Sequence, residues 1–310
     1  MRIERRHLLL GLLVAVASSL LGGCAPKSGP GKIVFEAHQE GEVADVVLIN
    51  PDGSGRKTLV QGSEWNGTPA LSSDGTRVAF ATERDGNPEI YVIHADGSNL
   101  TRLTDNEATD VMPAWSPDGK RIAFSSDRVF TETLPGGSVE VLAGMELYVM
   151  DADGRNIQRL TGDEADMSFY PAWSPDGKKI AYMNVTDSGA IYVVDATPTG
   201  IEPLNLTPNT EMAVWTPKWS PDGKYIFFMG DTKTKKDIYR MGADGKNVLS
   251  LTGHWPYACA DPAVSPDGKQ IIFASDKDDV VNLYVMALDN KVIKPLTQDQ
   301  GFYSRPSWSR

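Results

Sequence analysis

Pro171-Ala-Trp-Ser-Pro-Asp-Gly-Lys-Lys-Ile-Ala-Tyr182 is one of five near-copies of a single phrase. The others read PALSSDGTRVAF from Pro69, PAWSPDGKRIAF from Pro113, PKWSPDGKYIFF from Pro217 and PAVSPDGKQIIF from Pro262. A sixth copy is split. The 310-residue chain ends on Pro306-Ser-Trp-Ser-Arg310, and the missing half, Gly31-Lys-Ile-Val-Phe35, lies near the other terminus. A period of about 45 residues marks a repeat architecture whose units are not stable alone. A repeat begun at one end of the chain and finished at the other closes the array into a ring. The sequence therefore predicts an all-β fold, a single six-bladed β-propeller over residues 31–310.

The second half of each unit fixes the blade. It reads Ile/Leu-Tyr-Val, then Asp-Gly, then Leu-Thr, as in Glu89-Ile-Tyr-Val92, Asp96-Gly97 and Leu103-Thr104. Short apolar runs rich in Ile, Val, Tyr and Phe, bounded by tight-turn dipeptides, are antiparallel strands. Each unit supplies four, lettered A (the Trp), B ("IAF"), C ("LYV") and D ("RLT"). In the closing blade, residues 303–309 supply strand A and residues 33–60 supply B to D. Such closure removes the open edges of a linear array.

The repeated residues read as structural. Trp115, Trp173, Trp219 and Trp308 occupy one blade position and are expected to pack between neighbouring sheets. The Asp and Gly of each "SPDG" build a turn, the Asp bonding nearby backbone and the Gly taking positive φ. Asp151-Ala-Asp-Gly154 has the look of a calcium loop, but lacks the further oxygen ligands and distal Glu that such a loop needs. No metal and no cofactor is expected.

The first thirty residues lie outside the ring. Arg2, Arg5 and Arg6 precede an uncharged run from Leu8 to Leu21, followed by Leu21-Gly-Gly-Cys24. This is the pattern of a secretory signal over residues 1–23. Its ending resembles the lipobox of bacterial lipoproteins, which implies a lipidated Cys24 and a tether over residues 24–30. Arg5-Arg6 resembles a twin-arginine export signal, with Glu4 departing from the usual pattern. Without the signal the net charge falls from −11 to about −13. An acidic ring is a poor partner for nucleic acid or an anionic membrane surface. Membrane contact is expected through the lipid alone, and the protein as a monomer. Cys259 is left as the one thiol, which excludes an internal disulfide.

What varies between blades can carry function. The D-to-A loops read GSEWNGT, DNEATDVM, GDEADMSFY, PNTEMAVWT, GHWPYACAD and QDQGFYSR. Loops on a rigid scaffold concentrate binding residues, and aromatics among polar groups mark interface hot spots. The candidate site around the channel mouth comprises Trp65, Asp110, Glu164, Tyr170, Glu211, Trp215, His254, Trp255, Tyr257, Asp261, Tyr303 and Arg305. Met112, Met167 and Met212 add adaptable apolar surface. One B-to-C loop, over residues 128–145, is enlarged and explains the 58-residue spacing between Pro113 and Pro171. Its two apolar runs flanking Pro135-Gly-Gly137 predict a small hairpin, either a lid, an added contact surface or a tolerated insertion.

The phrase PxWSPDGKxIAF with ELYVMDADG and RLT resembles the propeller repeats of the TolB family of bacterial envelope proteins across residues 31–310. It is more loosely similar to the propeller half of prolyl-oligopeptidase-type proteins. The TolB resemblance implies a non-enzymatic platform that binds envelope proteins; its motifs are structural, so no site residue carries over. The chain departs from that pattern in starting its ring directly after the tether and in carrying a lipobox.

Catalysis is not expected. The chain has no Gly-x-Ser-x-Gly elbow, and His38, His94 and His254 fall in different units. The sequence thus points to a lipid-anchored envelope propeller binding a protein or peptide. The alternative is a glycan-binding or glycan-processing propeller, since aromatic and carboxylate loops also suit sugars.

Overall fold

The computed structural model describes residues 31–38, 43–62, 64–133, 139–142, 144–162, 167–185, 189–208, 210–277, 279–299 and 301–309. The expected Cys24 anchor, the signal and the tether lie outside these residues. Six four-stranded antiparallel sheets form the ring. Blade 1 runs Asn66–Leu71, Arg77–Thr82, Glu89–His94 and Thr101–Arg102, innermost strand first. Blades 2 to 5 repeat this order from innermost strands Asp110–Trp115, Met167–Trp173, Ala213–Trp219 and Cys259–Val264.

Blade 6 joins the termini as predicted. Phe302–Ser309 pairs with Lys32–His38, followed outward by Ala44–Ile49 and Lys57–Val60. The register sets Ile33 opposite Trp308 and His38 opposite Phe302.

Both faces of a blade are covered by neighbours, so its middle strands read as nearly continuous apolar runs. Alternate residues feed opposite seams. Ile33, Phe35 and Ala37 pack with Ile272 and Leu283 of blade 5, whereas Val34 packs with Val78 and Phe80 of blade 1. Six such hydrophobic clusters, one at each seam, occur among the described residues. The strand C tyrosine sits directly opposite a strand B aromatic in five blades, as Tyr148 opposite Phe124 and Tyr239 opposite Phe228. Their ring centroids are 5.8 and 5.6 Å apart.

The repeat phrase is a hydrogen-bonded turn. Ser116 Oγ donates to Asp118 Oδ1 at 2.6 Å, Asp118 accepts the Lys120 amide at 3.1 Å, and Ser116 Oγ accepts the Arg121 amide at 2.9 Å. Gly119 takes φ +66°, which a side chain would resist. The blade tryptophan then reaches the preceding blade: Trp173 Nε1 donates to Ala114 O at 3.0 Å, and the Arg121 guanidinium lies 4.6 Å over the Trp173 ring. Asp151–Gly154 is likewise a turn, with Gly154 so close to the neighbouring blade that an added Cβ would meet Leu103 O at 2.6 Å.

The enlarged loop after blade 2's second strand contains the expected hairpin, Phe130–Thr133 pairing with Val139–Leu142.

Candidate functional site

The innermost strands begin earlier than the loop reading places them, and this sorts the candidate residues. Asp110 opens its strand and is fully buried; Arg128 Nη2 bonds both its carboxylate oxygens at 2.9 and 2.8 Å, and Asn106 Nδ2 donates to it at 2.8 Å. Tyr303 is also buried, edge-on to Phe35 at 5.3 Å. Its hydroxyl donates to Asp299 Oδ1 at 2.5 Å and accepts from Arg56 Nη1 at 3.0 Å.

Trp215 and Trp255 are half-buried against the seam of blades 4 and 5. Trp255 Nε1 donates to Ser275 Oγ at 3.4 Å. Trp65 is half-buried at the seam of blades 1 and 2, over Gly67. These side chains brace the loops. Glu211, His254 and Tyr257 are exposed, Tyr257 standing 5.5 Å from the Trp255 ring. Glu164 lies outside the described residues.

Tyr170, Asp261 and Arg305 belong to a different feature, a ring in the channel. Each of the six residues preceding the phrase proline (Thr68, Met112, Tyr170, Thr216, Asp261 and Arg305) has φ between +49° and +56°. For a β-branched Thr this is a genuine outlier. In blades 1 to 5 the pairing with the next strand shifts register at this residue, and in blade 6 it shifts at the same level. The bulge turns all six side chains onto the wall of one central cavity of about 830 Å³. Below them the wall is made of the phrase residues, including Trp115, Trp173, Trp219 and Trp308. The outer end is rimmed by the A-to-B turn residues Pro117, Pro175, Pro221 and Pro266.

The charges of the ring are organised around Glu36, a residue outside the sequence-derived set. Its buried carboxylate accepts from Arg305 Nη1 at 3.1 and 3.3 Å, from Ser304 Oγ at 3.1 Å and from the Thr68 amide, and contacts His38 Nε2 at 3.0 Å. Burial pushes against ionisation, yet the His38, Arg305 and Thr68 contacts hold the carboxyl below the usual range. Asp261 has Arg305 as its main counterweight, accepting the Arg305 amide at 3.2 Å, and burial pushes its carboxyl up. Burial lowers the Lys218 ammonium against the pull of Asp261, and raises the Tyr170 hydroxyl. The only sequence signal for Glu36 is a carboxylate inside the apolar run Ile33-Val-Phe-Glu-Ala37.

A family model of the TolB β-propeller domain matches residues 28–143 and 135–310. The chain belongs to the TolB β-propeller family. Tol-Pal system protein TolB of Blochmanniella pennsylvanica (strain BPEN) is 47% identical over 57 residues, which is 18% of this chain and 12% of that protein. The match therefore spans a small part of that relative. The crystal structure of TolB from Acinetobacter baumannii superposes with a TM-score of 0.73 at 21% identity, over 92% of this chain and 68% of the other. A putative TolB from Agrobacterium tumefaciens gives 0.66 at 21% identity, over 91% and 100%. At that identity the two structures attest to the fold of this TolB-family propeller and to nothing finer.

Proposed function

We propose that this TolB-family propeller is a non-enzymatic platform of the bacterial cell envelope, lipid-anchored through Cys24, whose D-to-A loop face captures another envelope protein or peptide. The observation that carries the reading is a set of exposed apolar groups standing at those loops. Met167, Tyr257 and Phe302 are 44%, 36% and 48% exposed and come from three different D-to-A connections. Val129, 63% exposed, joins them from the enlarged B-to-C loop, which emerges on the same face. Behind them Trp215, Trp255 and Tyr303 are fixed in the seams, so the exposed groups stand on a rigid base. Rigid apolar anchors with a polar surround (Glu211 and His254 here) are what interface hot spots require.

The test is capture from solubilised envelopes by the tagged protein. Tyr257→Ala with Phe302→Ala is expected to lose a partner held by the parent protein, at about 2 kcal/mol or more per anchor, some thirtyfold in affinity. Cys24→Ser is expected to release the folded protein from the membrane fraction, since two acyl chains give stable anchoring where one is marginal. Retention of every partner by the double variant would count against the loop face. A Cys24→Ser protein still sedimenting with membranes would count against the anchor.

A further inference from the structure

Two residues beyond each ring position, the blades present a second set of side chains to the channel. Five are small: Ala70, Ala114, Ala172, Ala263 and Ser307. The sixth is Lys218, in the space its siblings leave open. Its ammonium makes no hydrogen bond or ion pair with any described residue, and the carboxylate it feels, Asp261, lies beyond ion-pair distance and bonds the Arg305 amide. Thr216 Oγ1, Trp115 Nε1 and Trp219 Nε1 also lack a partner among the described residues, but these atoms are sealed within the wall and do not open onto the channel. Thr216 and Trp115 are only 5% and 7% exposed. Trp173, by contrast, satisfies its indole N–H on Ala114 O.

The imbalance has a direction. The Glu36 carboxylate is engaged by Arg305, His38, Ser304 and Thr68. What stands without a hydrogen bond on the channel side is the Lys218 ammonium, and Asp261, beyond ion-pair distance, does not take its place as an acceptor. An ammonium that lines a largely apolar cavity without an acceptor is complementary to a ligand that brings an acceptor and negative charge. Much of the remaining wall is tryptophan and proline, and about 830 Å³ falls in the range of small-molecule sites.

We propose that the channel around Lys218 binds a small organic carboxylate with an apolar body. The ammonium holds the carboxylate, and the tryptophan and proline walls cover the body. A free acid and the C-terminal carboxylate of a peptide offer the same chemistry. The site lies among the phrase residues and opens at the A-to-B turns, so it stands whether or not the loop face captures a protein.

Phenylacetate and its neutral amide, phenylacetamide, are the probes. Each is titrated to roughly 10 mM into the purified full chain by calorimetry, with tryptophan fluorescence as a second readout. The acid is expected to bind at least tenfold more tightly than the amide. Lys218→Ala, which installs the residue carried by four other blades, is expected to abolish that preference with circular dichroism unchanged. Gly-Gly-Phe with a free or amidated C-terminus separates the two sources: tighter binding of the free-ended peptide than of phenylacetate assigns the site to chain ends, and exclusion of the peptide assigns it to free acids. Equal binding of acid and amide by the parent protein, no binding of either, or a preference surviving in Lys218→Ala overturns the proposal.

Discussion

Glu36, behind the channel wall, and Asp261, on it, are pushed in opposite directions, because Glu36 gathers contacts from His38, Arg305, Ser304 and Thr68 while Asp261 relies on Arg305. A depressed carboxyl such as Glu36 contributes stability that is present above its unfolded value and lost as pH falls through the folded one. Asp261 works the other way. Its raised carboxyl makes the folded state bind a proton more readily than the unfolded chain, so stability is lost as pH rises from the ordinary aspartate value through the folded one. Asp261→Asn keeps an oxygen to accept the Arg305 amide and removes the charge. The expected result is a higher melting temperature than the parent at pH 7, with the difference vanishing at a pH below the ordinary aspartate range near 3.9. Thermal melts at the two pH values check this; an Asn variant less stable at pH 7 would show that the Asp261 charge is a net support for Arg305.

The strand Phe302–Ser309 explains why the elements were legible and the side-chain directions were not. The phrase is read correctly from residue types alone because each of its parts acts locally: Ser116, Asp118 and Gly119 complete a turn among themselves. The loops ahead of it carry no such local closure. Once Phe302 and Tyr303 are strand residues they alternate, Phe302 48% exposed and Tyr303 3%, whereas a loop reading makes both surface aromatics. The bulge before each proline was equally hidden, since a register shift is a relation between two strands and leaves no mark in either alone. The closing pairing was legible, because half a phrase at each end admits one completion. Deleting residues 303–310 removes the partner of Lys32–His38 and uncovers Ile33 and Phe35. Aggregation or a large loss of stability is expected, monitored by size-exclusion chromatography and thermal melting; a monomer with an unchanged melting temperature would contradict the closed ring.

At the scale of the molecule, six seams of similar composition hold the blades together, while the channel and the loop face differ from blade to blade. Uniform seams leave the stability of one blade dependent on its neighbours, so the ring behaves as one rigid body that displays its loops. That separation lets Thr68, Met112, Tyr170, Thr216, Asp261 and Arg305 differ while sharing one backbone conformation. It also leaves the central claim, that the D-to-A face is where a partner sits, open to a direct measurement. A photoreactive phenylalanine analogue placed at Tyr257, at Phe302 or at the exposed Lys178 on the A-to-B turn face reports contact inside intact cells. The account predicts the same cross-linked partner from positions 257 and 302 and none from 178. A partner cross-linked from 178 alone would put the interface on the opposite face of the propeller.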